Sequence, residues 1–106
     1  MDRREARRYP RAASPPGMSV ALQCGERREV SPAGPISLSG LFLRTEHPIP
    51  AGRTLKLFFA APGCEVRAGG IVRHTRPGQG MGIEFLSMHH TQREHLFQLM
   101  KRLAGG

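Results

Sequence analysis

Turns punctuate this chain too often for any helix to form between Gly17 and Phe85. Gly25, Pro48-Ile49-Pro50-Ala51-Gly52, Pro62-Gly63 and Arg76-Pro77-Gly78-Gln79-Gly80 each interrupt the pattern. Proline lacks a backbone N–H and glycine tolerates left-handed backbone, so such clusters mark turns. Between them the residues alternate apolar and polar, the period of a half-buried strand. Met18 to Gln23, Thr54 to Phe59 and Met81 to Phe85 read this way, while Gly40 to Thr45 reads as a short apolar strand and Cys64 to His74 as a longer strand. Gly25 to Arg28 reads as a polar turn, and Pro32, Gly34 and Pro35 as an irregular stretch leading to Ile36. Gly69-Gly70, inside the longest segment, predicts a bulge or sharp bend of the kind a small barrel needs.

The period then changes. Leu96, Leu99, Met100 and Leu103 fall on one helical stripe. Thr91 and Glu94 fit a capping box, and Lys101 and Arg102 fall where the helix dipole favours cations. About six short strands at this turn spacing, closed by one helix, define an all-β barrel with a C-terminal helix. The 106 residues allow one modest core. Residues 1–17 are expected to be a basic N-terminal arm and linker, and residues 18–106 the barrel with its closing helix. The sequence leaves open whether that helix packs on its own barrel or on a second copy's, as in a homodimer.

Charge bounds the ligand class. Sixteen lysines and arginines against eight acids give +8 at pH 7, which attracts nucleotides, nucleic acid, acidic protein faces or anionic lipid. Arg3, Arg4, Arg7, Arg8 and Arg11 crowd the start, opposed only by Asp2 and Glu5. No apolar run approaches the roughly 20 residues of a membrane span, and no signal-peptide pattern follows Met1, so a cytoplasmic address is expected. There, Cys24 and Cys64 are expected as buried free thiols rather than a disulfide. His89, His90 and His95 cluster near the helix start, but no cysteine or aspartate completes a metal set. Ser37 lacks histidine and aspartate partners, and the acids form no recognisable pair, so neither an enzyme nor a cofactor is expected.

The order of segments, with three motifs, resembles the PilZ domain, the bacterial receptor module for cyclic di-GMP. Arg7-Arg8-Tyr9-Pro10-Arg11 is similar to the R-x-x-x-R motif ahead of the barrel. Pro35-Ile36-Ser37-Leu38-Ser39-Gly40, running into Leu41-Phe42-Leu43, is similar to the [D/N]-x-S-x-x-G motif. Gly80-Met81-Gly82-Ile83-Glu84-Phe85 is similar to the last-strand G-x-G-x-x-F pattern. The resemblance spans Arg7 to Leu103 and implies a six-stranded antiparallel barrel. It also implies that Arg7, Arg11, Ser37 and Gly40 contact cyclic di-GMP. Arginine suits this ligand because its planar fork pairs with phosphate oxygens or with guanine O6 and N7.

One position departs from the pattern: Pro35 stands where an aspartate or asparagine would accept from guanine N–H groups. A second S-x-x-G at Ser31 to Gly34 follows an acid, Glu29, but only Gly40 leads directly into the strand.

Three functions follow. The intact arginine pair favours a cyclic di-GMP receptor that signals through a separate protein partner. Pro35 favours a degenerate PilZ domain that no longer binds the nucleotide and acts by protein contact, for example in motility or pilus regulation. Non-specific nucleic-acid binding ranks last, because the apolar strand runs claim most of the phenylalanines that would stack on bases.

Overall fold

A computed structural model describes residues 11–105. Six strands form: β1 Ser19–Cys24, β2 Arg27–Ile36, β3 Gly40–Arg44, β4 Thr54–Ala61, β5 Cys64–Arg76 and β6 Gly80–Ser87. One helix, α1 His90–Gly105, follows them. Every strand pairing is antiparallel, and the order β1-β2-β3-β6-β5-β4 closes with β4 against β1. The fold class read from the sequence is the one observed.

Closure follows from alternation. Val20, Leu22 and Cys24 of β1 point inward, as do Leu55, Leu57 and Phe59 of β4 and Val66 and Val72 of β5. Wrapping the sheet into a barrel buries all of these faces against each other and leaves no long edge unpaired. Cys24 and Cys64 are both buried and both free. The bends needed for closure occur at register shifts between Gly69 and Gly70 and between Val72 and His74. Tight turns use Gly25, Gly63 and Gly78, all at positive φ.

Two local expectations fail. The segment holding Pro32, Gly34 and Pro35 is no irregular connection; it completes the ten-residue strand β2. Its prolines are tolerated because pairing changes partner there. Pro32 sits opposite Ser19 at the end of β1, and the β2–β3 register shifts between Ala33 and Ile36, where Pro35 lies. The turn before β2 is correspondingly shorter than Gly25 to Arg28, since Arg27 and Arg28 already belong to the strand.

The helix cap also differs. His89 precedes α1, its Nδ1 accepting from the Thr91 N–H (3.3 Å) and its carbonyl from the Arg93 N–H (3.0 Å). A preceding imidazole thus does what was expected of the Thr91–Glu94 pair. Replacing His89 with alanine is expected to lower stability by about 1 kcal/mol, while His89→Asn retains it; chemical denaturation checks both.

The helix packs on its own barrel. Leu96 and Leu99 are buried in the core, and Met100 and Leu103 pack against it. Three polar contacts fix the docking: the Arg67 N–H to Gln92 Oε1 (2.7 Å), His95 Nδ1 with the Glu65 carbonyl (2.6 Å), and Arg102 to the Pro62 carbonyl. No helix among the described residues is long and apolar enough to cross a membrane.

Candidate functional site

Residues 11–14 do not hang free of the barrel. Ala12 bridges Ile36 in both directions, N–H to carbonyl, at 2.8 Å each way, and the Ser14 hydroxyl donates to the Gly34 carbonyl at 2.6 Å. This pins the chain beside the end of β2 and sets Arg11 at the rim of a cavity of about 180 Å³ over β3, β6 and β5. Pro35, Ser37, Gly40, Phe42 and His74 also line it. Arg11, Pro35, Phe42 and His74 continue into an adjoining depression walled by Arg44, Arg76 and Gln79.

Two cross-strand rows build the floor. Gly82 lies opposite Phe42 on one side and His74 on the other. Gly80, two residues earlier and so on the same face, lies between Arg44 and Arg76. An added Cβ at Gly82 would overlap the His74 ring, and one at Gly80 would collide with the Leu43 carbonyl and come within 2.7 Å of the Phe42 ring. The two glycines of the last strand therefore leave room for the flanking rings to lean inward over bare backbone. Phe42 and His74 end up stacked, with centroids 6.4 Å apart, and the Arg76 guanidinium lies 5.6 Å from the Phe42 centroid.

A bulge supplies the remaining geometry. The β5–β6 register shifts between Val72 and His74, which breaks alternation and leaves both Arg73 and His74 exposed. Arg73 pairs with Glu84 through two contacts at 3.1 and 3.2 Å. That hydrogen bond, followed by the Coulomb attraction of the same carboxylate, raises the guanidinium pKa above its ordinary value. Its charge is thus turned towards Glu84. Arg11, Arg44 and Arg76 make no ion pair with a described residue, so three guanidinium groups border the two rings.

The expected ligand residues fall into this frame unevenly. Arg7 lies outside the described residues. Arg11 is exposed at the cavity rim. Ser37 lines the cavity but is buried, and its hydroxyl is engaged within the turn: with Ser39 Oγ (3.0 Å), the Ser39 N–H (3.1 Å) and the Gly40 carbonyl (3.4 Å). Gly40 faces a different constraint from ligand approach, because a Cβ there would collide with the Ile83 carbonyl of β6. Pro35 is exposed and lines both depressions.

Sequence reading missed Phe42, Arg44, His74 and Arg76. The signal was present as polar or aromatic residues at i and i+2 on two strands. It becomes a site only once β6 sets those strands side by side. The histidines near the helix have structural partners, His89 as the cap and His95 on Glu65. Among the described residues no three metal-capable side chains converge.

The chain is thus a small antiparallel barrel presenting an arginine-bordered aromatic surface beside the strand that follows its S-x-x-G turn. It belongs to the PilZ domain family, whose model matches residues 2–102. Its fold is that of the Bacillus subtilis inhibitor of motility (MotI/DgrA), with a TM-score of 0.76 and 18% identity. That match covers 99% of this chain but 53% of the other, so the chain spans about half the length of that protein. The PilZ domain of YcgR from Escherichia coli, solved with c-di-GMP, superimposes with a TM-score of 0.71 at 13% identity, covering 92% of this chain and 91% of that one. No curated protein sequence matches the chain.

Proposed function

We propose that this PilZ domain is a cytoplasmic cyclic di-GMP receptor and adaptor, not an enzyme, that passes its signal to a protein partner. The observation that carries the reading is the pair of rows across β3, β6 and β5. Phe42 and His74 offer planar faces, while Arg44, Arg76 and Arg11 offer unpaired cations beside them. Cyclic di-GMP combines two guanines with two phosphates, and rings bordered by guanidinium groups complement both features. The structure of the YcgR PilZ domain with c-di-GMP adds support by analogy of fold.

Pro35 favours the second reading, a degenerate domain acting by protein contact alone. It offers neither a side-chain acceptor nor an N–H, and Ser37, the next motif residue with a polar side chain, has its hydroxyl engaged in the turn. Calorimetric titration with cyclic di-GMP at physiological salt separates the two. The receptor reading expects saturable binding that an excess of single-stranded oligonucleotide does not displace. Absence of heat at any ligand concentration would leave the degenerate reading. Displacement by the oligonucleotide with a steep salt dependence would instead indicate general nucleic-acid affinity.

A further inference from the structure

A second depression lies on a different part of the barrel wall. It is an open trough of about 1090 Å³ across β2, β1, β4 and β5, bounded at one side by the chain entering α1. Val30, Ala21 and Phe58 form one continuous cross-strand row along it, Val30 facing Ala21 and Ala21 facing Phe58. Val30 is 68% exposed, the highest value among the large exposed hydrophobic side chains of the described residues. An exposed β-branched residue in the middle of a strand row, with apolar neighbours, is an interaction feature rather than a core one.

The trough's charge is one-sided. Arg28, Lys56 and Arg67 line it, and the Arg67 guanidinium lies 4.6 Å over the Phe58 ring. Its lone carboxylate, Glu29, is paired with Arg27 at 3.0 Å. An apolar strip flanked on one side by the row of Arg28 and Lys56 and ended by Arg67 complements a segment that alternates aliphatic and acidic side chains. Two other occupants carry the wrong sign. A second copy laid face to face would set Arg28, Lys56 and Arg67 against themselves. The chain's own first ten residues hold Arg3, Arg4, Arg7 and Arg8 against only Asp2 and Glu5. Nucleic acid matches the cations, but the row's one ring, Phe58, is already covered by the Arg67 guanidinium, and Val30 and Ala21 offer none to stack on a base.

We infer that this trough is the partner-docking surface of the domain and that it takes an acidic amphipathic segment of another protein. The inference rests on the adaptor half of the proposed function and is independent of nucleotide binding. Residues that line the trough do not line the cavity beside Arg11.

The test uses fluorescence anisotropy with a short labelled peptide patterned from glutamate and leucine. Versions with glutamine or lysine in place of glutamate, and vesicles containing anionic lipid, serve as competitors. The glutamate peptide is expected to bind saturably, the glutamine version about tenfold more weakly, and the lysine version not at all. Val30→Asp and Lys56→Glu, both on the surface, are each expected to weaken binding about tenfold with unchanged thermal unfolding. Equal binding of the glutamate and glutamine peptides would overturn the inference. So would unchanged affinity in both variants, or displacement of the peptide by vesicles. Cyclic di-GMP titrations run in parallel keep the two readings apart: Val30→Asp should leave nucleotide affinity intact, and Arg11→Ala should leave peptide affinity intact.

Discussion

Pro35→Asp is expected to raise affinity for cyclic di-GMP about ten- to hundredfold. The residue is exposed and lines both depressions, so the new carboxylate enters the site without displacing core. It gives guanine N–H donors an acceptor that proline lacks. Leaving such a buried group unpaired costs roughly 1–3 kcal/mol, and 1.4 kcal/mol is about tenfold in affinity. The backbone tolerates the change, since Pro35 lies where the β2–β3 register shifts and the expected penalty of an added N–H is small. Arg11→Ala in the same background should reverse the gain, because it removes a charged group held at the cavity rim by the Ala12–Ile36 bridge. Calorimetric titration of the parent and both variants reads the whole series. A Pro35→Asp protein no tighter than the parent would show that the guanine edge is not read at this position.

Gly40→Ala is expected to destabilise the barrel by about 3 kcal/mol, the upper end of the usual overpacking cost, and to lower the melting temperature by roughly 10 °C or more. The added methyl would overlap the Ile83 carbonyl oxygen and come within 3.1 Å of the Cα of Glu84, the residue paired with Gly40. Neither side of that contact is a flexible side chain, so relief requires moving β3 away from β6. Gly78→Ala supplies the contrast. Its Cβ would meet nothing within 4 Å, and its cost comes only from a φ of 73°, about 1 kcal/mol. Thermal unfolding of the two variants should separate them clearly. Equal losses would mean that the β3–β6 contact yields more easily than its backbone geometry implies.

These two expectations bear on different halves of one motif. In Pro35-Ile36-Ser37-Leu38-Ser39-Gly40 the first residue is open to a ligand, whereas Ser37 and Gly40 already have duties inside the fold. The motif therefore builds its turn whether or not its first position contacts a ligand. Pro35 is the place to look for altered function in this chain.

Much of the architecture was legible along the chain because strands and turns are encoded locally. Two-residue alternation in Val20, Leu22 and Cys24, or in Leu55, Leu57 and Phe59, fixes which faces must be buried. Gly25, Gly63 and Gly78 fix where the chain can reverse, and the stripe of Leu96 and Leu99 fixes a helix. The motifs placed Arg11, Ser37 and Gly40 near one another. Pro32 and Pro35 misled because a proline is judged by its missing N–H. Whether that N–H is needed depends on a partner strand distant in sequence.

The ring-and-arginine surface depended on tertiary structure alone. Phe42 and His74 are 32 positions apart, and nothing local links them. They meet because β6 inserts between β3 and β5 with a glycine at the shared register position, and because a one-residue bulge turns His74 outward. The trough along Val30, Ala21 and Phe58 arises in the same way from β1 lying between β2 and β4. Outside the proline-containing end of β2 and the bulge of β5, sequence by itself determined which residues the strands turn inward and where the chain reverses, since both are set by neighbours along the backbone. Which outward residues share a surface was decided by strand order, because only non-local pairing brings them within reach of one ligand.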